Sequence, residues 1–84
     1  MFKVIMSGPA ERNLARLDRA MQRRMIQAIE ELAMNPSKKS NVKKLVGSDL
    51  YRLRVGDYRL VFSIDNRRQQ IRIITLGHRK EVYQ

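Results

Sequence analysis

The chain has 84 residues, and its eighteen Lys and Arg against eight Asp and Glu give a formal net charge of +10. That length supports a single domain over residues 1–84 with one modest hydrophobic core, while the lack of cysteine excludes a disulfide framework or thiolate metal site and agrees with a reducing cytoplasm. No apolar run approaches the roughly 20 residues that span a bilayer, and the opening MFKVIMSGPAERN holds too short an apolar stretch for a secretory signal.

In chain order, Phe2-Lys3-Val4-Ile5-Met6 alternates apolar positions at 2, 4 and 6, the pattern of a short strand. Ser7-Gly8-Pro9 interrupts it. Pro9 suits the first turn of a helix, Ser7 or Gly8 suits its cap, and Glu11 suits its positive end. Leu14, Leu17, Met21, Met25, Ala28, Ile29 and Leu32 then recur at intervals of mostly three and four, an apolar stripe of helical period that belongs in the core. This stripe fits one long helix or a hairpin of two with a turn near Leu17 to Arg19, where Asp18 would cap the second. Asn35-Pro36 ends it, because proline disfavours helical geometry in the residue before it.

Residues 36–48 read as a loop carrying the basic pairs Lys38-Lys39 and Lys43-Lys44, which serve equally as a solvated linker or as phosphate contacts. Three strand-like runs follow: Leu50 to Val55, Tyr58 to Ile64 and Gln70 to Leu76. Short turns separate them, so an antiparallel meander is the simplest topology. The whole pattern is α+β, with helices packed on one face of a single sheet.

Gly56-Asp57 fits a two-residue hairpin turn with glycine where positive φ is needed. Such a turn sets Val55 opposite Tyr58, Arg54 opposite Arg59, Leu53 opposite Leu60 and Arg52 opposite Val61. Strand alternation then sends Tyr51, Leu53, Val55, Tyr58, Leu60, Phe62 and Ile64 to the core. Arg52, Arg54, Arg59, Val61 and Ser63 share the other face. Like charges directly opposite one another destabilise a sheet, and a bound anion removes the repulsion. Phosphate suits guanidinium groups, which grip it with paired hydrogen bonds. The strong positive charge makes nucleic acid the first candidate partner, ahead of an acidic protein. The tail, Gly77 to Gln84, adds His78 (the only histidine), Arg79 and Tyr83.

Tyr51-Arg52-Leu53-Arg54, Gly56-Asp57-Tyr58-Arg59-Leu60-Val61 and Leu76-Gly77-His78-Arg79, ending in Glu81-Val82-Tyr83, resemble the RelE/ParE toxin superfamily over nearly the whole chain. The resemblance implies an N-terminal strand, a helical hairpin and a three-stranded meander. It also implies a toxin of a type II toxin–antitoxin system, silenced by a cognate antitoxin protein. RelE-like members cut messenger RNA in the ribosomal A site, and ParE-like members inhibit DNA gyrase without catalysis. The pairing of Arg79 with Tyr83 matches the RelE pattern and favours a cytoplasmic endoribonuclease whose partners are the ribosome and mRNA. A non-catalytic basic module that binds RNA or an acidic protein is a further alternative.

By position, the resemblance assigns phosphate binding to Arg59, a place near the leaving group to Arg79, and base stacking or orientation to Tyr83. Arg52 and Arg54 fall where RelE proteins often carry lysines that serve the nucleophile. A guanidinium is essentially never a free base, so a lysine-based scheme does not transfer. Arg54 instead would stabilise phosphoryl charge, and Arg52 would bind phosphate or acidify the 2′-hydroxyl, with Lys43 and Lys44 as further RNA contacts. His78 is of the type that gives or takes a proton near neutral pH, a candidate acid or base. With one histidine and no cysteine, no metal or other cofactor is expected. Arg12, Arg16, Arg19 and Arg23 on the helical stretch read as solubilising residues or antitoxin contacts.

Overall fold

The computed structural model describes residues 1–36, 41–78 and 80. In chain order it forms strand β1 (Lys3–Met6), helices α1 (Gly8–Arg16) and α2 (Arg19–Met34), and strands β2 (Val42–Lys44), β3 (Tyr51–Val55), β4 (Tyr58–Asp65) and β5 (Gln70–His78). The helical stretch is therefore a hairpin. Ser7 caps α1 by accepting from the Ala10 N–H at 3.1 Å. Asp18 caps α2 by accepting from the Met21 N–H at 2.8 Å. Both caps satisfy donors that a helix start leaves open. Gln22 Nε2 donates to the Leu14 carbonyl at 3.0 Å and ties the start of α2 to the end of α1. Asp18→Ala is expected to cost about 1 kcal/mol of stability, read as a lower urea midpoint with an unchanged slope.

The five strands form one sheet in the order β1-β5-β4-β3-β2. The meander β3-β4-β5 is antiparallel as its short turns require, and β1 joins its edge parallel to β5. Strand β1 stops at Met6 while β5 runs on to His78. The start of α1 takes over that open edge. Ser7 N–H donates to Ile73 O at 3.0 Å and Ser7 Oγ to Ile74 O at 2.6 Å. The Asn13 amide, oriented by its network, donates to Leu76 O at 3.1 Å and to Pro9 O at 2.9 Å.

The core lies between the helices and one face of the sheet. Met21, Met25, Ala28, Ile29 and Leu32 of α2 meet Leu53, Leu60, Phe62, Ile71, Ile73 and Leu76. Each of the larger side chains contributes about 1.5–3 kcal/mol by leaving water. Phe2, Val4 and Met6 pack against the same cluster, as their alternation predicts.

The 36–48 segment differs from the expected loop. Val42–Lys44 pairs antiparallel with β3. Three residues are too few to display a period of two, and their hydrogen bonds come from the free edge of β3 rather than from any local propensity. The Lys38-Lys39 pair lies outside the described residues.

Candidate nucleic-acid interface

The hairpin turn fixes the site. Gly56 has φ +61, and glycine is the residue that adopts this conformation without strain. A Cβ there would also come within 3.2 Å of the Arg24 guanidinium. The resulting register pairs Val55 with Tyr58, Arg54 with Arg59, Leu53 with Leu60 and Arg52 with Val61, as the sequence predicts. Strand β2 adds Lys43 opposite Arg52. Asn41 brackets the Arg54 backbone, accepting from its N–H at 3.3 Å and donating from Nδ2 to its carbonyl. Arg52, Arg54, Arg59 and Lys43 thus share the face turned away from the helices.

The middle of that face is not a solvated surface. Arg59 is only 7% exposed and Val61 only 6%. Gly77 lies directly opposite Arg59 and carries no side chain to crowd it. Arg59 Nη1 donates to the carbonyls of Gly56 at 3.2 Å and Tyr58 at 3.0 Å, while its buried Nε has no partner among the described residues. Buried polar groups are nearly always satisfied. The two backbone carbonyls fix the orientation of this guanidinium, and its Nε leaves one hydrogen-bond donor open. Arg54 beside it is exposed and Arg52 half-buried.

The structure sets two of the expected site residues apart from the arginine face. His78 is not brought to the arginine face. Its ring meets Tyr58 edge-on, with centroids 5.5 Å apart and planes at 77°, and it borders a hollow with Asn13 and Arg16 of α1 and Leu17, the residue that caps that helix. The cause is a β-bulge. Phe62 pairs with Ile73, but Val61 pairs with Thr75, so β5 carries one extra residue. The bulge lets Ile73 and Leu76, three apart, both face the core, and it reverses the parity of every later residue. The spacing Ile71, Ile73, Leu76 was the signal for it. Lys44 also leaves the cluster. It pairs with Tyr51 and so lies on the helix side, whereas Lys43 lies with the arginines. Arg79 and Tyr83 lie outside the described residues.

A helical hairpin on one face of a mixed sheet, and clustered arginines on the other, define a small α+β protein with a preformed cationic face. The family model for the ParE toxin of type II toxin–antitoxin systems matches residues 4–83. Among solved structures, a chain of the archaeal RelE–RelB complex from Pyrococcus horikoshii is 30% identical, with 95% of this chain and 97% of that one covered and a TM-score of 0.83. A chain of the RelBE2 toxin–antitoxin complex from Mycobacterium tuberculosis is 25% identical over 93% of this chain and 98% of that one, with a TM-score of 0.82. The isolated Escherichia coli RelE toxin shares the fold, with 23% identity, 99% and 92% coverage and a TM-score of 0.81. No curated protein matches the sequence. The chain belongs to the RelE/ParE superfamily and is a toxin of a type II toxin–antitoxin system.

Proposed function

We propose that the chain is a ribosome-dependent endoribonuclease that cuts mRNA in the A site and so stops translation in the cytoplasm. The observation that carries this reading is Arg59, buried on the sheet face turned from the helices with its Nε unpartnered among the described residues. In the proposed step the ribose 2′-oxygen attacks the adjacent phosphorus. The O2′–P bond forms and the P–O5′ bond breaks. The proton lost from the 2′-hydroxyl is balanced by one gained at O5′, which leaves a 2′,3′-cyclic phosphate and a free 5′-hydroxyl.

Arg54 and Arg59 stabilise the charge that builds on the phosphoryl oxygens. Fixed donors of this kind are usually the largest single source of rate enhancement. Arg52 and Lys43 bind the neighbouring backbone. Arg79 and Tyr83 carry, by family resemblance, the places near the leaving group and on the substrate base. His78 has no part in this scheme, because its ring packs on Tyr58 on the helix side. Without a clean acid–base pair, the reaction depends on the ribosome to bend the message into an in-line geometry. The relatives from Pyrococcus horikoshii and Mycobacterium tuberculosis are in complexes with antitoxins. A cognate antitoxin that covers the cationic face is the corresponding partner here.

The match to the ParE model favours a second reading, inhibition of DNA gyrase without catalysis. One experiment separates the two. Purified toxin is added to programmed ribosomes and, in parallel, to a gyrase supercoiling reaction. Message cut within the A-site codon with a cyclic phosphate end supports the nuclease. Intact message with supercoiling blocked selects the ParE-like activity.

A further inference from the structure

The cationic face extends well beyond the arginine cluster. Arg72 lies on β5 between Ile71 and Ile73, both wholly buried in the core, so alternation turns its side chain to the outer face. It is exposed. Its cross-strand neighbours are Ser63 on β4 and Ile5 on β1, neither of them charged. Lys3, also exposed, lies on the same face of β1, two residues before Ile5. The outward positions of the strands thus carry Lys3, Lys43, Arg52, Arg54, Arg59 and Arg72 against Asp65 alone. Asp65 is already engaged. Its Oδ1 accepts from the Arg68 N–H at 3.1 Å, and its Oδ2 lies 3.9 Å from Arg68 Nε.

Register gives the spacing. Arg72 is one strand over and four residues along from Arg59, about 14 Å at ordinary strand rise and separation. It is two strands and two residues from Arg52, about 12 Å. The Arg59 guanidinium is moreover held toward the hairpin turn by the Gly56 and Tyr58 carbonyls, at the end of β4 away from Arg72, which sets the two at different phosphates.

We propose that Arg72, assisted by Lys3, is a separate phosphate-binding position, so that the sheet face holds the RNA backbone at a phosphate other than the one held by Arg59. This deepens the RNA reading and rests on it. The shared chemistry is the phosphodiester of RNA, supplied either by the message or by ribosomal RNA.

The test is the salt dependence of binding. Each phosphate neutralised on a single strand contributes about 0.7 to the slope of log K against log salt. Wild type, Arg72→Ala and the control Arg23→Ala, which removes the same charge from the exposed face of α2, are titrated with a short 2′-O-methyl oligoribonucleotide that cannot be cut. The same proteins are titrated with programmed ribosomes. A slope lowered by about 0.7 in Arg72→Ala, with the control at the wild-type value, supports the position. Loss on both ligands identifies the message backbone, and loss on ribosomes alone identifies ribosomal RNA. Equal slopes for Arg72→Ala and the control on both ligands, or no RNA binding by wild type, overturn it. Because the oligonucleotide cannot be cleaved, a lowered slope stands even where the cleavage assay fails, so the two readings fall separately.

Discussion

Arg59→Ala is expected to lower single-turnover cleavage on programmed ribosomes by about 10²–10³-fold while leaving the fold at least as stable as wild type. The two effects diverge because of how Arg59 is held. Its guanidinium is buried and rests on two backbone carbonyls of the hairpin turn, Gly56 and Tyr58, with Nε unpartnered among the described residues. It also sits directly opposite Arg54. An unsatisfied buried donor costs about 1–3 kcal/mol, and the facing arginine adds repulsion. Alanine removes both penalties, which offset the lost packing of the side chain. Catalysis has no such offset, because under the proposed function the same guanidinium stabilises the phosphoryl charge. Arg59→Lys keeps the charge but loses the planar fork and is expected to fall between wild type and alanine. Cleavage at the wild-type rate in Arg59→Ala, with correct folding by circular dichroism, would remove Arg59 from the chemistry. A variant that is inactive because it has unfolded would assign the residue to the scaffold instead.

Sites that defy stability in this way are where sequence patterns read most clearly. The hairpin from Tyr51 to Ile64 was legible in full, because Gly56 has one low-strain role there and the period of two leaves one register that buries Leu53, Leu60 and Phe62. The apolar stripe from Leu14 to Leu32 was legible as helix, and the structure settles its one ambiguity at Asp18, whose carboxylate is taken up by the Met21 N–H. Less was legible wherever pairing comes from distant chain. Strand β2 exists because β3 offers it an edge, and nothing local in Val42–Lys44 announces this. The parallel docking of β1 on β5 joins residues nearly seventy apart, such as Lys3 and Gln70. The bulge at Ile74 was visible only as an interval of three between Ile73 and Leu76, yet it decides which face receives His78. Arg72 is hidden from a local reading for a related reason. One turn specifies the cluster on the hairpin, whereas the neighbouring strand's contribution to that face depends on the pairing of β4 with β5.

Phe62→Ala is expected to cost about 3–5 kcal/mol, the largest stability loss of any change considered. At about 0.05–0.15 kcal/mol per residue, a chain of 84 residues has a total on the order of 4–13 kcal/mol, so this one truncation removes a large share of it. Phe62 is wholly buried and stacks on Tyr51 with ring centroids 5.7 Å apart. It pairs across the sheet with Tyr51 on one side and Ile73 on the other, at the point where the bulge begins. The cavity it leaves therefore opens beneath both junctions that set the outer face: β3, which carries Arg52 and Arg54, and β5, which carries Gly77 opposite Arg59. Urea unfolding is expected to show a midpoint lowered by more than about 1 M, given slopes of about 1–3 kcal/mol/M for small proteins. Cleavage is expected to fall with the folded fraction and to recover in part when a stabilising osmolyte such as sucrose shifts the equilibrium toward the native state. Arg59→Ala should show no such recovery, since its defect is chemical and the fold is already intact. If Phe62→Ala unfolds at the wild-type midpoint, the core is not organised around this ring, and the register that aligns the arginines has another origin.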